Sequence, residues 1–221
     1  MENLLCIKGK IIGKGKPFVC VPVMESSKEE ILRETRRLEE AHTEMIEWRG
    51  DAFENVESPN AIREILNEMK HIIKESILVY TFRSKNQGGC KALSAADIYD
   101  IHQVAAESDV VDFIDVEYFE AKKNEILTGP DESQTKELNV IASHHDFEQT
   151  PDPEVIRMLL EQIRESGADV VKLAVMPQNM WDVLHLLEET NRFHENHPDH
   201  PLITMSMGAK GGISRVAGEF F

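Results

Sequence analysis

The chain has 221 residues, of which 41% are hydrophobic, so its composition is that of a folded protein with a substantial core. Its 40 acidic residues outnumber the 24 basic ones, and the formal net charge of −16 argues against binding to nucleic acid or anionic membranes. The three cysteines lack paired spacing, and no stretch resembles a signal peptide or a membrane-spanning segment. We therefore expect a cytoplasmic protein without disulfides that acts on a small molecule.

Short β-branched segments alternate along the chain with longer segments in which apolar residues recur at helical spacing. The short segments predict seven strands, at residues 18–24, 44–48, 77–82, 110–116, 138–143, 169–174 and 201–206. A strand recurs about every 30 residues, which is the length of a βαβ unit. The pattern predicts a parallel α/β fold, either doubly wound or closed into a barrel.

Helices are predicted in the longer segments between the strands. The clearest apolar spacings lie at residues 29–41, 60–74 and 153–166. Ser58-Pro59 and Ser94 have the side chains typical of helix starts, and Gly167 is typical of a helix end. These signals place helix boundaries between successive strands, as the βαβ pattern requires.

The N-terminal segment precedes the first predicted βα unit. Residues 4–12, followed by Gly13-Lys14-Gly15, predict an added β-hairpin at the floor of a barrel. No flexible linker or low-complexity segment follows, so residues 1–221 are expected to form a single domain. Seven strands are one too few for a (β/α)₈ barrel, which typically takes about 250 residues. We expect the last βα unit to be missing, and a strand edge there to be exposed or covered by a subunit contact.

Lys172 is a charged residue within the predicted strand 169–174. A charge inside a buried strand is costly unless it is paired or used. Desolvation and nearby cations lower a lysine pKa from its usual value of about 10.4, which makes the amine a nucleophile toward carbonyl carbon. The alternative is a structural ion pair with Glu47 or Glu117, and the lysine alone does not decide between the two.

Polar residues also follow other predicted strands, where the chemistry of a parallel barrel is found. His145 is a candidate general acid and base, although a lone histidine is more often bound to the backbone. Only one of His144 and His145 can face the barrel interior, because strand neighbours point to opposite faces. Arg49, Arg83 and Arg215 come from three units. One of them could hold a carboxylate, and the alternative is arginines on an acidic surface.

Three histidines, at positions 194, 197 and 200, have spacings that metal ligands can show. They lie between a predicted helix and strand, without a cysteine or an acidic cluster at ligand spacing. We predict a solvated loop there and no metal. Met205 and Met207 are predicted from their pattern to pack rather than to react.

Six segments taken together resemble, in order and spacing, the type I 3-dehydroquinate dehydratases of the shikimate pathway. They are residues 47–51, 81–84, 88–89, 143–147, 171–177, and 204–208 with 213–219. Each segment is weak evidence by itself. The set in register is specific and spans nearly the whole chain.

The resemblance implies a (β/α)₈-type barrel and a lyase without metal or cofactor that dehydrates 3-dehydroquinate to 3-dehydroshikimate. It implies that Lys172 attacks the ketone and forms a protonated imine, which acidifies the adjacent carbon. His145 would assist imine formation, remove the proton from that carbon and protonate the leaving hydroxyl, and Arg215 would bind the carboxylate. We also expect a homodimer. By the same resemblance four side chains line the pocket: Glu47, Arg49, Arg83 and Met205.

Two departures from the family pattern are expected to reduce activity. Where the family usually has a glutamate that orients the catalytic histidine, this chain has Gln87. An amide cannot stabilise an imidazolium by charge, so Gln87→Glu is expected to raise turnover modestly. The second departure concerns the family's last strand and loop, whose serine and glutamine contacts to the substrate have no match here.

Two other functions are compatible with the sequence. A different imine-forming barrel enzyme, such as a class I aldolase, would share Lys172 and need a phosphate site, for which Gly208, Gly211 and Gly212 are candidates. A weak or inactive relative that binds a shikimate-type metabolite is favoured by Gln87 and opposed by the intact lysine and histidine.

Overall fold

The computed structural model describes residues 5–120 and 138–219. The chain divides into two compact units, residues 18–140 and residues 1–17 together with 141–221. Within each unit, parallel strands alternate with α-helices, as the sequence predicts. The expectation that residues 1–221 form a single domain stays a prediction.

A short antiparallel hairpin opens the described chain, with strands Cys6–Ile7 (β1) and Lys10–Ile11 (β2). The turn residues Lys8 and Gly9 have φ of 49° and 76°. Positive φ at both positions is typical of a type I′ turn, which matches the twist of the strands it joins. The predicted hairpin is therefore confirmed for residues 5–12, but the turn expected at residues 13–15 was wrong, because the tighter turn closes the ladder first.

The residue that follows the hairpin, Gly13, lies against the start of a later strand of the same unit. A Cβ built on Gly13 would lie 3.0 Å from Pro201, and Lys14 forms a salt bridge of 2.9 Å with Asp199. Both contacts lie just before residue 202, where the strand begins. They fasten the segment after the hairpin to the amino end of that strand, away from the carboxyl end where polar residues were predicted.

Residues 18–140 contain four parallel strands that pair in chain order. The strands are Cys20–Val23 (β3), Met45–Arg49 (β4), Ile77–Thr81 (β5) and Phe113–Glu117 (β6). The helices of this unit are Lys28–Glu40 (α1), Pro59–Ile72 (α2) and Ala95–Ala106 (α3). Each helix begins after a serine whose side chain accepts a backbone N–H from the first turn. Two of these, Ser58 and Ser94, are the predicted starts, which are confirmed.

The core of this unit lies between its strands and helices. In α2, Ile62, Ile65, Leu66 and Met69 are buried at the spacing of one helical face. In β5 every residue is buried, as expected for a parallel strand covered on both sides. Each large apolar side chain removed from water contributes roughly 1.5–3 kcal/mol, so this face is the main stabilising contact of α2.

The second unit, residues 1–17 with 141–221, contains the hairpin and three more parallel strands, the first of which begins at residue 139. These strands are Asn139–Asp146 (β7), Val170–Val175 (β8) and Leu202–Ser206 (β9), and the helices are Pro153–Glu165 (α4) and Met180–Asn196 (α5). Pairing of β7 with β8 continues to Asp146, so the strand ends three residues later than predicted and includes both histidines. Gly167 has φ of 88° just after α4, which confirms the predicted helix end.

The two outer strands of the pairing order differ in burial from their neighbours. All six residues of β8 are buried, whereas residues 202–205 of β9 are partly exposed. In β3 only Val23 is buried. The seven predicted parallel strands are thus confirmed within the described residues, and the strands that come first and last are the least covered.

Candidate active site

The register of the second unit places several predicted site residues on one face of its strands. Ser143 of β7 pairs with Lys172 of β8, and Lys172 pairs with Ile203 of β9. Residues paired in this way across parallel strands point to the same side of the sheet. Lys172 is only 8% exposed, and the strand around it is buried throughout. The lysine therefore lies in the middle row of a strand that water hardly reaches.

His145 lies one row further toward the carboxyl ends, on the same face as Lys172. His145 pairs with Ala174, and Ala174 pairs with Met205. Each of the three is two residues beyond its counterpart in the lysine row, so the alternation of side chains returns them to that face. His144 points to the opposite face. The structure thus brings together three predicted residues, Lys172, His145 and Met205.

The loop after β7 holds His145 through its neighbours. The ring of Phe147 stacks on that of His145, with centroids 6.3 Å apart and planes inclined by 17°. Asp146 Oδ1 accepts the backbone N–H groups of Glu148 and Gln149 at 2.9 and 3.0 Å. This turn fixes where the strand stops, and the stacked ring limits the orientations open to the imidazole.

Arg215 follows the carboxyl end of β9 in the 3₁₀ helix Gly212–Arg215. The turn before it is drawn tightly onto the strand: a Cβ on Gly211 would lie 2.0 Å from the carbonyl oxygen of Ser206, so only glycine fits. Ser214 Oγ is 2.9 Å from Ser206 N, which donates to it, and 2.7 Å from the Gly211 carbonyl oxygen. The Arg215 side chain is exposed. A fixed backbone therefore presents a solvated guanidinium at this strand end.

In the first unit the predicted residues Glu47 and Arg49 lie on one face of β4. Arg49 pairs with Thr81 of β5, which pairs with Asp115 of β6. Thr81 Oγ1 donates a hydrogen bond of 2.8 Å to Glu47 Oε1, which links two rows of this face. The row of Arg49, Thr81 and Asp115 is thus polar across all three strands, and Glu47 adds a charge in the row before it.

Arg83 lies just beyond β5 and is buried between two carboxylates. Its Nη2 donates to Asp115 Oδ1 at 2.8 Å, and its Nη1 donates to Glu117 Oε1 at 3.4 Å. Arg83 is 3% exposed, Asp115 is fully buried and Glu117 is 7% exposed. Removing one partner of such a buried ion pair leaves an uncompensated charge, which costs about 3–5 kcal/mol. The guanidinium is therefore held in place electrostatically.

Arg49 is held by Asp51, a fully buried residue that the sequence did not single out as part of the site. Arg49 Nε and Nη2 donate to the two Asp51 oxygens at 2.7 and 2.8 Å. Asp51 also accepts the backbone N–H groups of Arg83 and Cys90, at 3.2 and 3.0 Å. Burial opposes ionisation, but the Arg49 guanidinium and these N–H donors outweigh it and hold the pKa of Asp51 below its usual range. Asp51 ties together the ends of two strands.

Gln87 ends a 3₁₀ turn, Lys85–Gln87, that follows Arg83. Its amide Nε2 donates to Glu117 Oε2 at 3.0 Å. The paired glycines after it have a steric reason: Gly88 has φ of 84°, and a Cβ on Gly89 would lie 1.8 Å from the carbonyl oxygen of Arg83. The loop therefore folds back directly onto the residue that carries the buried guanidinium.

The three histidines with metal-like spacing lie around the end of α5. His197 Nε2 lies 2.8 Å from Glu161 Oε1, and Arg164 Nε donates to the other oxygen of that carboxylate at 2.9 Å. Across residues 5–120 and 138–219, no three His, Cys, Asp or Glu side chains converge as a ligand set. The structure gives the metal interpretation of this segment no support, and a metal-free reaction stays a prediction.

Residues 19–221 match the family model described as Type I 3-dehydroquinase. The chain belongs to this family. A 3-dehydroquinate dehydratase of Clostridioides difficile (strain 630) is 41% identical over 223 residues, covering 100% of this chain and 86% of the relative. One of Klebsiella pneumoniae subsp. pneumoniae is 38% identical and covers 100% of this chain and 88% of the relative. The type I 3-dehydroquinase resemblance read from the six segments is thereby confirmed.

Solved structures of 3-dehydroquinate dehydratases share the fold. The type I enzyme of Clostridium difficile with covalently modified comenic acid superposes with a TM-score of 0.93 at 41% identity, covering 100% of this chain and 87% of that one. The Enterococcus faecalis 3-dehydroquinate dehydratase gives 0.92 at 31% identity, with 98% and 90% covered. The predicted (β/α) barrel class is confirmed by this likeness. A prophage protein of the dihydrodipicolinic acid synthase family, 12% identical with a TM-score of 0.52, shares the fold alone.

Proposed function

We propose that this chain dehydrates 3-dehydroquinate to 3-dehydroshikimate through an imine on Lys172, with His145 as general acid and base. The observation that carries the proposal is the placement of Lys172, buried in the middle of β8, with His145 one row away on the same face. Membership of the type I 3-dehydroquinase family supports the substrate. A buried amine beside a histidine is the pair that imine chemistry with proton transfer requires.

The proposed reaction uses these two residues in sequence. The neutral amine of Lys172 adds to the substrate ketone, a proton from His145 lets the ketone oxygen leave as water, and a protonated imine remains. That cation withdraws electrons from the adjacent carbon, and His145 removes a proton from it. The C–O bond on the next carbon then breaks, and the hydroxyl leaves as water with the proton from His145. Hydrolysis of the imine by a second water frees the product and Lys172.

We assign the substrate carboxylate to Arg215, because its guanidinium is exposed while those of Arg49 and Arg83 are already held by buried carboxylates. An arginine whose charge is not offset by a buried partner attracts a carboxylate more strongly, and its planar fork suits bidentate binding. Arg49 and Arg83 then serve to hold neutral ring hydroxyls. In this proposal Glu47, Gln87 and Met205 complete the binding surface.

The two alternative functions differ from this proposal in testable ways. A phosphate site needs converging N–H donors. At the candidate turn Gly211 instead packs against the carbonyl oxygen of Ser206, and its own carbonyl oxygen accepts from Ser214. These contacts supply no N–H donor, and membership of the type I 3-dehydroquinase family favours the dehydratase over the aldolase. An inactive binder of shikimate-type metabolites would bind dehydroquinate without releasing product.

Turnover of 3-dehydroquinate tests the proposal directly, since the product is a conjugated enone that absorbs in the ultraviolet. The wild type should form product, and dialysis against a strong chelator should leave the rate unchanged. Lys172→Met keeps the length of the side chain without the amine and should lose activity. The matched control is Lys70→Met, because Lys70 lies on α2 and forms an exposed salt bridge with Asp109. This variant should keep its activity. Binding without product would favour the inactive relative.

The assembly and compartment expected from the sequence, a homodimer in the cytoplasm, stay predictions. None of the helices within residues 5–120 and 138–219 has the length and apolar character needed to cross a membrane. Light scattering of the purified protein would test the dimer.

A further inference from the structure

Glu117, at the carboxyl end of β6, is the acceptor for an unusually complete set of donors. Its Oε1 accepts from Ser84 N at 2.8 Å and from Arg83 Nη1 at 3.4 Å. Its Oε2 accepts from Ser84 Oγ at 2.7 Å and from Gln87 Nε2 at 3.0 Å. An ionised carboxylate offers about four acceptor positions. Because Glu117 is nearly buried, each donor replaces a water molecule that the carboxylate would otherwise need.

The donors belong to one compact loop. Gln87 N and Gly89 N both donate to the Ser84 carbonyl oxygen, at 3.0 and 2.8 Å. Gly89 touches the Arg83 backbone so closely that no larger residue fits. Arg83, Ser84 and Gln87 are thereby joined through the loop as well as through Glu117. Both ends of the Gln87–Glu117 bond are therefore connected to the residue that carries the buried guanidinium.

We propose that Glu117 and Gln87 form a matched carboxylate–amide pair that positions Arg83 for substrate binding. The inference rests on the proposed function, in which Arg83 holds a ring hydroxyl. Glu117 supplies the acceptor, and Gln87 supplies the hydrogen that a glutamate at position 87 would lack. The pair makes Gln87 a positioning residue, which acts on the substrate through Arg83.

The pairing reverses the expectation drawn from the sequence for Gln87→Glu. A carboxylate at position 87 would lie about 3 Å from the Glu117 carboxylate, taking the place of the amide donor. Like charges that close repel, and the loop must shift to separate them. Arg83 keeps its bond to Asp115 but loses the fixed position of the loop that carries it. We therefore expect KM to rise by a larger factor than kcat falls.

Four variants test the pair by steady-state kinetics with 3-dehydroquinate. Gln87→Glu and Glu117→Gln should each raise KM about tenfold and change kcat less than about threefold, as expected when a hydrogen bond to a charged group is lost. The exchanged pair Gln87→Glu/Glu117→Gln restores one amide and one carboxylate and should recover most of the loss in KM. Gln162→Glu, the same change at an exposed position of α4, should leave both constants unaltered.

A rise in turnover for Gln87→Glu alone would overturn the pairing. The pairing would also be overturned if the fold increase in KM of the double variant equalled the product of the fold increases of the two single variants. If the wild type shows no turnover, the proposed function fails but the pairing is still measurable. The midpoints of thermal unfolding of the same proteins then decide. Both single variants should unfold at lower temperature and the exchanged pair should recover, whereas additive losses would contradict the proposal.

Discussion

The predicted arginines of the site are held in different ways in the two units. In residues 18–140, Arg49 and Arg83 are bound by the buried carboxylates of Asp51, Asp115 and Glu117. In residues 141–221, Arg215 is exposed on a fixed turn, and the imidazole of His145 is half-buried beside a stacked ring. The first arrangement holds two guanidinium groups rigidly at a cost in desolvation, and the second leaves Arg215 and His145 accessible to a ligand, although Lys172 of the same unit is buried. In the proposed mechanism, positioning is therefore assigned to residues 18–140 and proton transfer and imine formation to residues 141–221.

His145→Gln tests whether the second unit carries the chemistry. The amide retains hydrogen-bonding capacity but cannot exchange protons near neutral pH, so kcat should fall by about 10²–10⁴. Because the side chain is half-buried at a strand end, the unfolding free energy should change little, within about 0.5–1 kcal/mol. Kinetics together with urea unfolding measure both effects. A large loss of stability with kcat retained would assign His145 to the framework.

Arg83→Met and Arg215→Met compare the same substitution in the two units. Arg83→Met leaves two buried carboxylates without their cation and should lower the unfolding free energy by about 3–5 kcal/mol. Arg215→Met removes an exposed side chain, so stability should stay within about 0.5 kcal/mol while KM for dehydroquinate rises about 10–100-fold. Urea unfolding and steady-state kinetics of both variants provide the test. Equal losses of stability would remove the distinction between the units.

His102 predicts a pH dependence that originates in the first unit. This α3 side chain is 1% exposed, and within the described residues neither ring nitrogen has a hydrogen-bond partner. Burial lowers the pKa of His102 from 6.5 to about 4, against the opposing charge of Asp115. The stability it contributes is complete above pH 6.5, where the unfolded chain is also neutral, and is lost as the pH falls to about 4.

His102→Phe removes this titration with little change in size, and the ring would still meet Tyr80, whose ring lies edge-on at 6.2 Å. Between pH 7 and pH 4 the wild type should lose about 3 kcal/mol more unfolding free energy than the variant. Urea unfolding at a series of pH values measures the difference. Parallel curves for the two proteins would show that His102 is protonated as readily in the folded state.

Much of this architecture could be predicted from the sequence because it depends on local patterns. The apolar segment around Lys172 predicts a buried strand, and the structure confirms it. The structure also shows that His145 lies on the same face, one row further along the neighbouring strand. The hairpin turn was misplaced because two glycine-containing turns, at Gly9 and at Gly13, competed for the same short segment.

The framework residues were harder to find because their roles depend on contacts between distant segments. Asp51 was visible only as part of a motif, yet it binds the backbone of Cys90, 39 positions away. Glu117 was considered as an ion-pair partner for Lys172, whereas its described bonds run to Arg83, Ser84 and Gln87. The spacing of apolar residues in the sequence does not indicate such pairings, because they follow from the register of parallel strands.

Chemical trapping of the imine tests directly whether Lys172 is the nucleophile. The wild type is treated with borohydride in the presence of 3-dehydroquinate, and intact mass and peptide mapping locate the added ligand. We expect one added ligand per chain, on the peptide that contains Lys172, and no addition to Lys172→Met. Label on another lysine, or no label in a protein that turns the substrate over, would contradict it.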